Sequence, residues 1–170
     1  VFLDIEKAFD KIWLWLLIWK LYYQVKLCDP LVVWIKNLMF DRSRQIKIGS
    51  DCSDWKEDIN IGIVQGSLLS PELFKIYIND IPIPIGKDKI HKGMLFVDDT
   101  SLLESGDVHS QVKKMNVMLD EIYKWSNKWA IDFNVSKCKQ ILFSNSEKQR
   151  NRKDLTLTMG SKKLEIVKSY

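Results

Sequence analysis

The sequence predicts an α+β domain whose sheet is mainly antiparallel and backed by helices. Three observations carry that expectation. The chain opens on the apolar run VFLD, which reads as a short buried strand. Between Val108 and Ala130 the apolar positions Val112, Met115, Leu119, Ile122 and Trp129 share one face of a long amphipathic helix. Strand-like segments lie before and after that helix without the strand–helix–strand regularity of a parallel sheet. With 170 residues, 46% hydrophobic and 28% charged, the chain can bury one core, and its composition is that of a globular protein rather than a disordered one.

The elements follow in order. After VFLD the apolar pattern turns helical from Glu6. Pro30 closes that segment and can open a second helix, LVVWIKNLMF. Two strand-like runs come next, RQIKIG and WKEDINI, joined through the turn-like SDCSD. In GIVQGSLLSPELFKIYINDIP, Gly62 and Gly66 bracket a loop, Ser70-Pro71 starts a helix and Pro82 stops it. A polar loop, GKDKIHKG, leads to MLFV and TSLLE, two strands with Asp98 and Asp99 at their turn. After the long helix, CKQILFS, LTLTM and KLEIV read as strands. There is no internal repeat.

Several classes are excluded early. The longest apolar run, Ile12 to Trp19, has eight residues between Lys11 and Lys20. It is far short of the ~20 that a bilayer span needs, so it reads as a core helix and no membrane partner is expected. The aromatic group Trp15, Trp19, Tyr22 and Tyr23 could stack on bases, but its apolar neighbours favour core packing. Three widely spaced cysteines, Cys28, Cys52 and Cys138, form no ligand pattern. They read as reduced thiols in an intracellular setting, cytoplasmic or nuclear. A net charge of +4 is compatible with a polyanionic partner and does not demand one. No signal-peptide pattern and no initiator Met opens the sequence, and the abrupt start on an apolar run leads us to expect a fragment of a longer protein.

Asp98 and Asp99 pose the chemical question, because two adjacent carboxylates stand between two apolar runs. Burying unpaired like charges is costly. Asp4 also ends an apolar run. If the two runs are neighbouring strands, the three carboxylates converge at one sheet edge. Such a set suits a hard divalent ion such as Mg²⁺, and a pair of ions serves phosphoryl transfer. On the dipeptide alone a solvated hairpin turn, with Asp4 as a helix N-cap, is the plainer reading.

The ordered combination points further. FLDIEKAFD, then GIVQGSLLSPELFKIYINDIP, then FVDDTSLL resembles motifs A, B and C of reverse transcriptases, in the wording of non-LTR, LINE-like and jockey-like retrotransposons. NVSKCKQILF is similar to motif D, and LTLTMGSKKLEIVKSY resembles the approach to motif E. The resemblance implies a polymerase palm over residues 1–170, with fingers before residue 1 and motif E and thumb after residue 170 missing. It implies an RNA-directed DNA polymerase, a nucleotidyltransferase moving a nucleotide from a dNTP to a primer 3′-OH. An RNA template, a DNA primer or target DNA, and dNTPs would be its partners, with two Mg²⁺ ions, or Mn²⁺ as a substitute.

Residue by residue, Asp4, Asp98 and Asp99 match the metal-binding aspartates. A backbone carbonyl of Phe2, Leu3 or Ile5 would be a further ligand. Phe9 stands where the family places a bulky ring that excludes a ribose 2′-OH by clash. Gln65, Gly66 and Ser67 match the loop against nucleotide and template, where glycine permits close backbone approach. Lys137 matches the lysine proposed to protonate the leaving pyrophosphate. Phe96 and Val97 precede the aspartates near the primer end.

Four departures stand out. Phe96 and Val97 replace the usual Tyr-Ala. Val64 replaces a proline, leaving a less rigid loop. Lys7 stands where some relatives are acidic, a mark of subtype. The fourth is the absence of fingers and thumb, from which the isolated chain is expected to be inactive and marginal in stability. The basic cluster EKQRNRK, Glu147 to Lys153, could touch a phosphate backbone, although a solvated hairpin loop is the plainer reading. The runner-up from another class is a decayed or domesticated palm that only binds nucleic acid or protein. A viral or group II intron polymerase shares the palm but not the wording of motifs A and B.

Overall fold

The computed structural model describes residues 1–57, 61–84, 91–144 and 155–167. In chain order the first elements are β1 (Phe2–Asp4), α1 (Leu14–Trp19) running into a π-helical turn (Lys20–Gln24), and α2 (Asp29–Met39). Then come β2 (Ser43–Arg44), β3 (Lys47–Ile48), β4 (Asp51–Cys52), β5 (Lys56–Glu57) and α3 (Ser70–Ile78). The remainder is β6 (His91–Phe96), β7 (Asp99–Glu104), α4 (Val108–Lys128), β8 (Lys139–Gln140), β9 (Thr158–Met159), β10 (Lys162–Lys163) and β11 (Glu165–Ile166). The chain divides into two units, Val1–Glu6 with Asp80–Tyr170, and Lys7–Asn79.

The first unit holds a five-stranded sheet in the order β11-β8-β1-β7-β6. Three of its four pairings are antiparallel and only β11 with β8 is parallel. The expected α+β class with a mainly antiparallel sheet is therefore observed. Along β7 the period of two puts Thr100 and Leu102 inside, and β1 places Leu3 inside. Helix α4 starts at its N-cap Asp107, whose carboxylate accepts from the Ser110 N–H at 3.1 Å. It buries Met115, Leu119, Ile122 and Trp125. It ends before Ala130, whose left-handed φ of 52° fills the place usually taken by glycine after a helix. The Asn116 amide accepts from the Thr158 N–H at 2.9 Å and donates to the Thr156 carbonyl at 3.1 Å, tying α4 to the tail.

The second unit is mainly helical, with two small two-stranded pairings, β2 with β5 and β3 with β4. Pro30 and Pro71 lie in the first turns of α2 and α3, as their fixed φ favours. Its core gathers Leu14, Leu17, Leu21, Ile35, Met39, Leu73, Phe74 and Tyr77. Lys20 is fully buried, its Nζ donating to the Tyr77 carbonyl at 2.5 Å and lying 5.2 Å from the centre of that ring.

Three expectations are corrected here. The helical pattern from Glu6 is realised only from Leu14, because Lys7 takes a left-handed φ of 49° and residues 6–11 form turns. The reversal after RQIKIG falls on Gly49 and Ser50 rather than across SDCSD, with Ser53 instead receiving the Ile46 N–H. Trp15, Trp19, Tyr22 and Tyr23 do not pack in the core. They are exposed, Trp15 at 55% and Tyr23 at 60%. An unbroken apolar run has no polar position to mark its solvent side, and a helix must still turn about half of it outward. The tail strands appear where expected but span only two residues each. The basic cluster 147–153 lies outside the described residues.

Candidate active site

In the first unit β1 and β7 are neighbours, and their register sets Asp4 opposite Asp99, with Leu3 opposite Thr100 and Phe2 opposite Ser101. The adjoining hairpin pairs Phe96 with Asp99, leaving Val97 and Asp98 as its two turn residues. Asp98 thus lies in the turn and Asp99 begins the strand, a shift of one residue from both at the turn. Asp4 is a strand residue, which removes the helix N-cap reading. Like charges directly opposite on paired strands are destabilising, by roughly 0.2–1 kcal/mol, so the arrangement is not explained by stability.

Val97 has φ of 56° while Asp98 keeps a negative φ. A positive φ at only the first turn residue is the sign pattern of a II′ hairpin turn, where glycine is the favoured occupant. A β-branched residue there stores about 1–3 kcal/mol of strain. Phe96 points its ring largely to solvent, at 79% exposure.

The far side of β1 is fastened by residues 132–138. The Glu6 N–H donates to the Asp132 carbonyl at 2.8 Å, and the Asp4 carbonyl accepts from the Asn134 N–H at 2.9 Å. The Asn134 carbonyl in turn accepts from the N–H groups of Lys137 and Cys138. This turn delivers Lys137 to Asp4, with Nζ 3.9 Å from Oδ2 and the lysine side chain largely exposed. Cys138 is fully buried behind Asp4, and its Sγ accepts from the Asp4 N–H at 3.4 Å. Burial pushes that thiol's pKa up, so it stays protonated at neutral pH.

Acceptor-only carboxylates on strand ends are the donor chemistry that a hard divalent ion takes, and Asp4, Asp98 and Asp99 fit it. The two runs expected to be neighbours are not, since β7 lies between β1 and the MLFV strand β6. The hairpin turn nevertheless brings the backbone of Asp98 and Asp99 to the Asp4 end of the sheet, and the side chains do not converge. Among the described residues no three His, Cys, Asp or Glu side chains are grouped to hold a metal ion. Three like charges repel one another, and Lys137 attends Asp4.

The second unit carries the loop residues. Gly62 has φ of 78°, and a Cβ there would lie 2.8 Å from the Asp10 carbonyl oxygen, so only glycine fits. Its N–H donates to the Ile12 carbonyl at 2.7 Å, and the Ile63 N–H donates to the Phe9 carbonyl at 2.8 Å. Arg42 donates to the carbonyls of Ile61 and Gly62. The Gln65 amide donates to Asp10 Oδ1 at 2.8 Å. Gly66 has φ of 84° with open space where a side chain would be. Ser67 closes the loop, its N–H donating to the Val64 carbonyl and its Oγ accepting from the Leu69 N–H. The Phe9 ring stacks on Phe74 of α3, centroids 5.0 Å apart.

The sequence profile of the family described as Reverse transcriptase (RNA-dependent DNA polymerase) matches residues 1–165. The chain belongs to the reverse transcriptase family. It is similar to the RNA-directed DNA polymerase from mobile element jockey of Drosophila melanogaster, 28% identical over 150 residues. The jockey polymerase of Drosophila funebris is 29% identical over 151 residues. The probable RNA-directed DNA polymerase from transposon X-element of Drosophila melanogaster is 29% identical over 147 residues. Each match covers 85% of this chain and 16% of the relative, so the chain spans about a sixth of their length. The expected kinship with jockey-like reverse transcriptases is borne out.

The four residues of the first unit, Asp4, Asp98, Asp99 and Lys137, lie on adjoining strands and turns. Phe9, Gln65, Gly66 and Ser67 belong to one laced segment of the second. The sequence reading of this reverse transcriptase chain missed the residues behind them: Cys138 under Asp4, Asp10 under Gln65, Phe74 under Phe9, and Arg42 on the Gly62 loop. Cys138 sits next to Lys137 in the chain, which is a usable signal. The other three pairings link residues 19 or more apart, and nothing local announces them.

Proposed function

We propose that this chain is the palm of an RNA-directed DNA polymerase, transferring nucleotides from dNTPs to a primer 3′-OH on an RNA template. The carrying observation is the register of Asp4 against Asp99, beside Asp98 in the turn, within a reverse transcriptase match over residues 1–165. Asp4, Asp98 and Asp99 would hold the divalent ions, two Mg²⁺ with Mn²⁺ as substitute, and bound ions would supply positive charge for the phosphoryl transfer. Lys137, its Nζ 3.9 Å from Asp4 Oδ2, donates a proton to the departing pyrophosphate. Phe96 and Val97 flank the primer end, the strained turn fixing where Asp98 points. Phe9 excludes the ribose 2′-OH by clash, and Gln65, Gly66 and Ser67 border nucleotide and template.

Positioning supplies much of the rate in such chemistry. The 170 residues, about a sixth of the length of the jockey relatives, are therefore expected not to extend a primer by themselves. The test is primer extension by the reading frame extended to the length of the jockey relatives, with RNA template, DNA primer and Mg²⁺. Extension that disappears in Asp98→Asn is the expected result. A folded, template-binding protein that never extends the primer would overturn the reading in favour of a binding module.

A further inference from the structure

Phe9 lies in neither helix nor strand; residues 6–11 form turns. No regular element holds its side chain, so its orientation depends on contacts made by the rest of the second unit. Two kinds are present. The backbone is pinned because the Phe9 carbonyl accepts from the Ile63 N–H at 2.8 Å and the Ile12 carbonyl accepts from the Gly62 N–H at 2.7 Å. The ring lies nearly parallel to Phe74, with centroids 5.0 Å apart and planes 15° off parallel. Phe74 is 1% exposed, on α3 among the equally buried Leu73, Tyr77 and Ile78. Phe9 is only half-buried, so one face rests on a buried ring and part of it stays open.

We infer that Phe74 is a positioning residue for sugar selection: its buried ring holds Phe9 in the orientation that clashes with a ribose 2′-OH. This rests on the reading of Phe9 as the gate. Selection by clash works only if the obstructing group cannot yield. An aromatic ring turns readily about its terminal torsion unless something packs against its face. Tight packing on α3 makes Phe74 a firm backing, and interiors of this density resist displacement. Removing the backing ring leaves Phe9 present but able to swing aside for a ribonucleotide.

The experiment measures kcat/KM for dGTP and for GTP in the extended reading frame on an RNA template, for wild type, Phe9→Val, Phe74→Leu and the double variant. Phe9→Val is expected to give the largest fall in the dGTP/GTP ratio. Phe74→Leu should lower the ratio about two- to tenfold, the scale of one aromatic pairing, by raising kcat/KM for GTP. The double variant should match Phe9→Val alone, because the two act through one ring. A residue that merely supports the fold would lower both substrates together. If Phe9→Val changes the ratio and Phe74→Leu leaves it unchanged, the inference is overturned while the gate stands. If Phe9→Val has no effect, the gate reading fails and Phe74 has nothing to position. Should Phe74→Leu not fold, Phe74→Met fills the space without a flat face and is judged by the same ratio.

Discussion

The aspartate strands and the glycine loop place their residues by opposite means. Asp4 and Asp99 are set by a backbone ladder that accepts any side chain, and the carboxylates add repulsion to it. The loop from Gly62 to Ser67 is set by what its residues are. A missing Cβ admits the Asp10 carbonyl, an arginine gathers two carbonyls, and an amide reaches a carboxylate. In the first region the carboxylates can change without altering the ladder that places them; in the second, side chains and shape cannot be separated. Substitutions should therefore divide cleanly between activity and stability.

The largest expected effect is on catalysis in the first region. Asp4→Asn and Asp99→Asn should each cost on the order of a thousandfold or more in primer extension by the extended reading frame. Asp99→Asn should leave folding intact and raise stability by roughly 0.2–1 kcal/mol, since a like-charge pair is relieved. Urea midpoints report that, and a clear loss of stability would break the comparison. In the second region Gly62→Ala should act the other way. It should destabilise by about 2–4 kcal/mol, because a left-handed residue gains a Cβ against backbone. An unchanged urea midpoint would show that the loop yields.

A smaller effect sharpens the picture at the hairpin. Val97→Gly relieves left-handed strain but loosens the unfolded chain, so the net gain should be at most about 1 kcal/mol in thermal unfolding. The smallest concerns Cys138. Its folded pKa is raised by burial above the ordinary 9.0, so the unfolded chain releases the thiol proton first. Stability is then complete below about pH 9 and falls as pH rises, at no more than about 1.4 kcal/mol per pH unit. Cys138→Ser removes that part of the slope, and equal slopes in both proteins would contradict the assignment.

Much of this was legible in the sequence because it rested on period and punctuation. The α4 stripe, the strands flanking Asp98, and Pro30 and Pro71 in the first turns of α2 and α3 are local signals. The two apolar runs ending in Asp showed that the carboxylates would share a sheet, but they suggested β1 beside the MLFV run. β1 instead pairs with β7, which starts at Asp99, because the hairpin folds β7 between them. The left-handed Val97 was hidden because backbone preference argues against it. The outward Trp15 and Tyr23 were hidden because uniform hydrophobicity carries no direction. Phe74, Asp10 and Arg42 escaped because their partners are brought near only by the folded chain.

In the proposed reading, the register of β1 against β7 serves to hold divalent metal. Iron-mediated backbone cleavage tests it without requiring turnover: Fe²⁺ with ascorbate and peroxide replaces Mg²⁺ in the extended protein, and the cut sites are mapped. Cuts are expected beside Asp4 and beside Asp98 and Asp99, suppressed by excess Mg²⁺ and lost in Asp4→Asn. Cuts confined to other segments, or cuts at these sites that persist in Asp4→Asn, would contradict it.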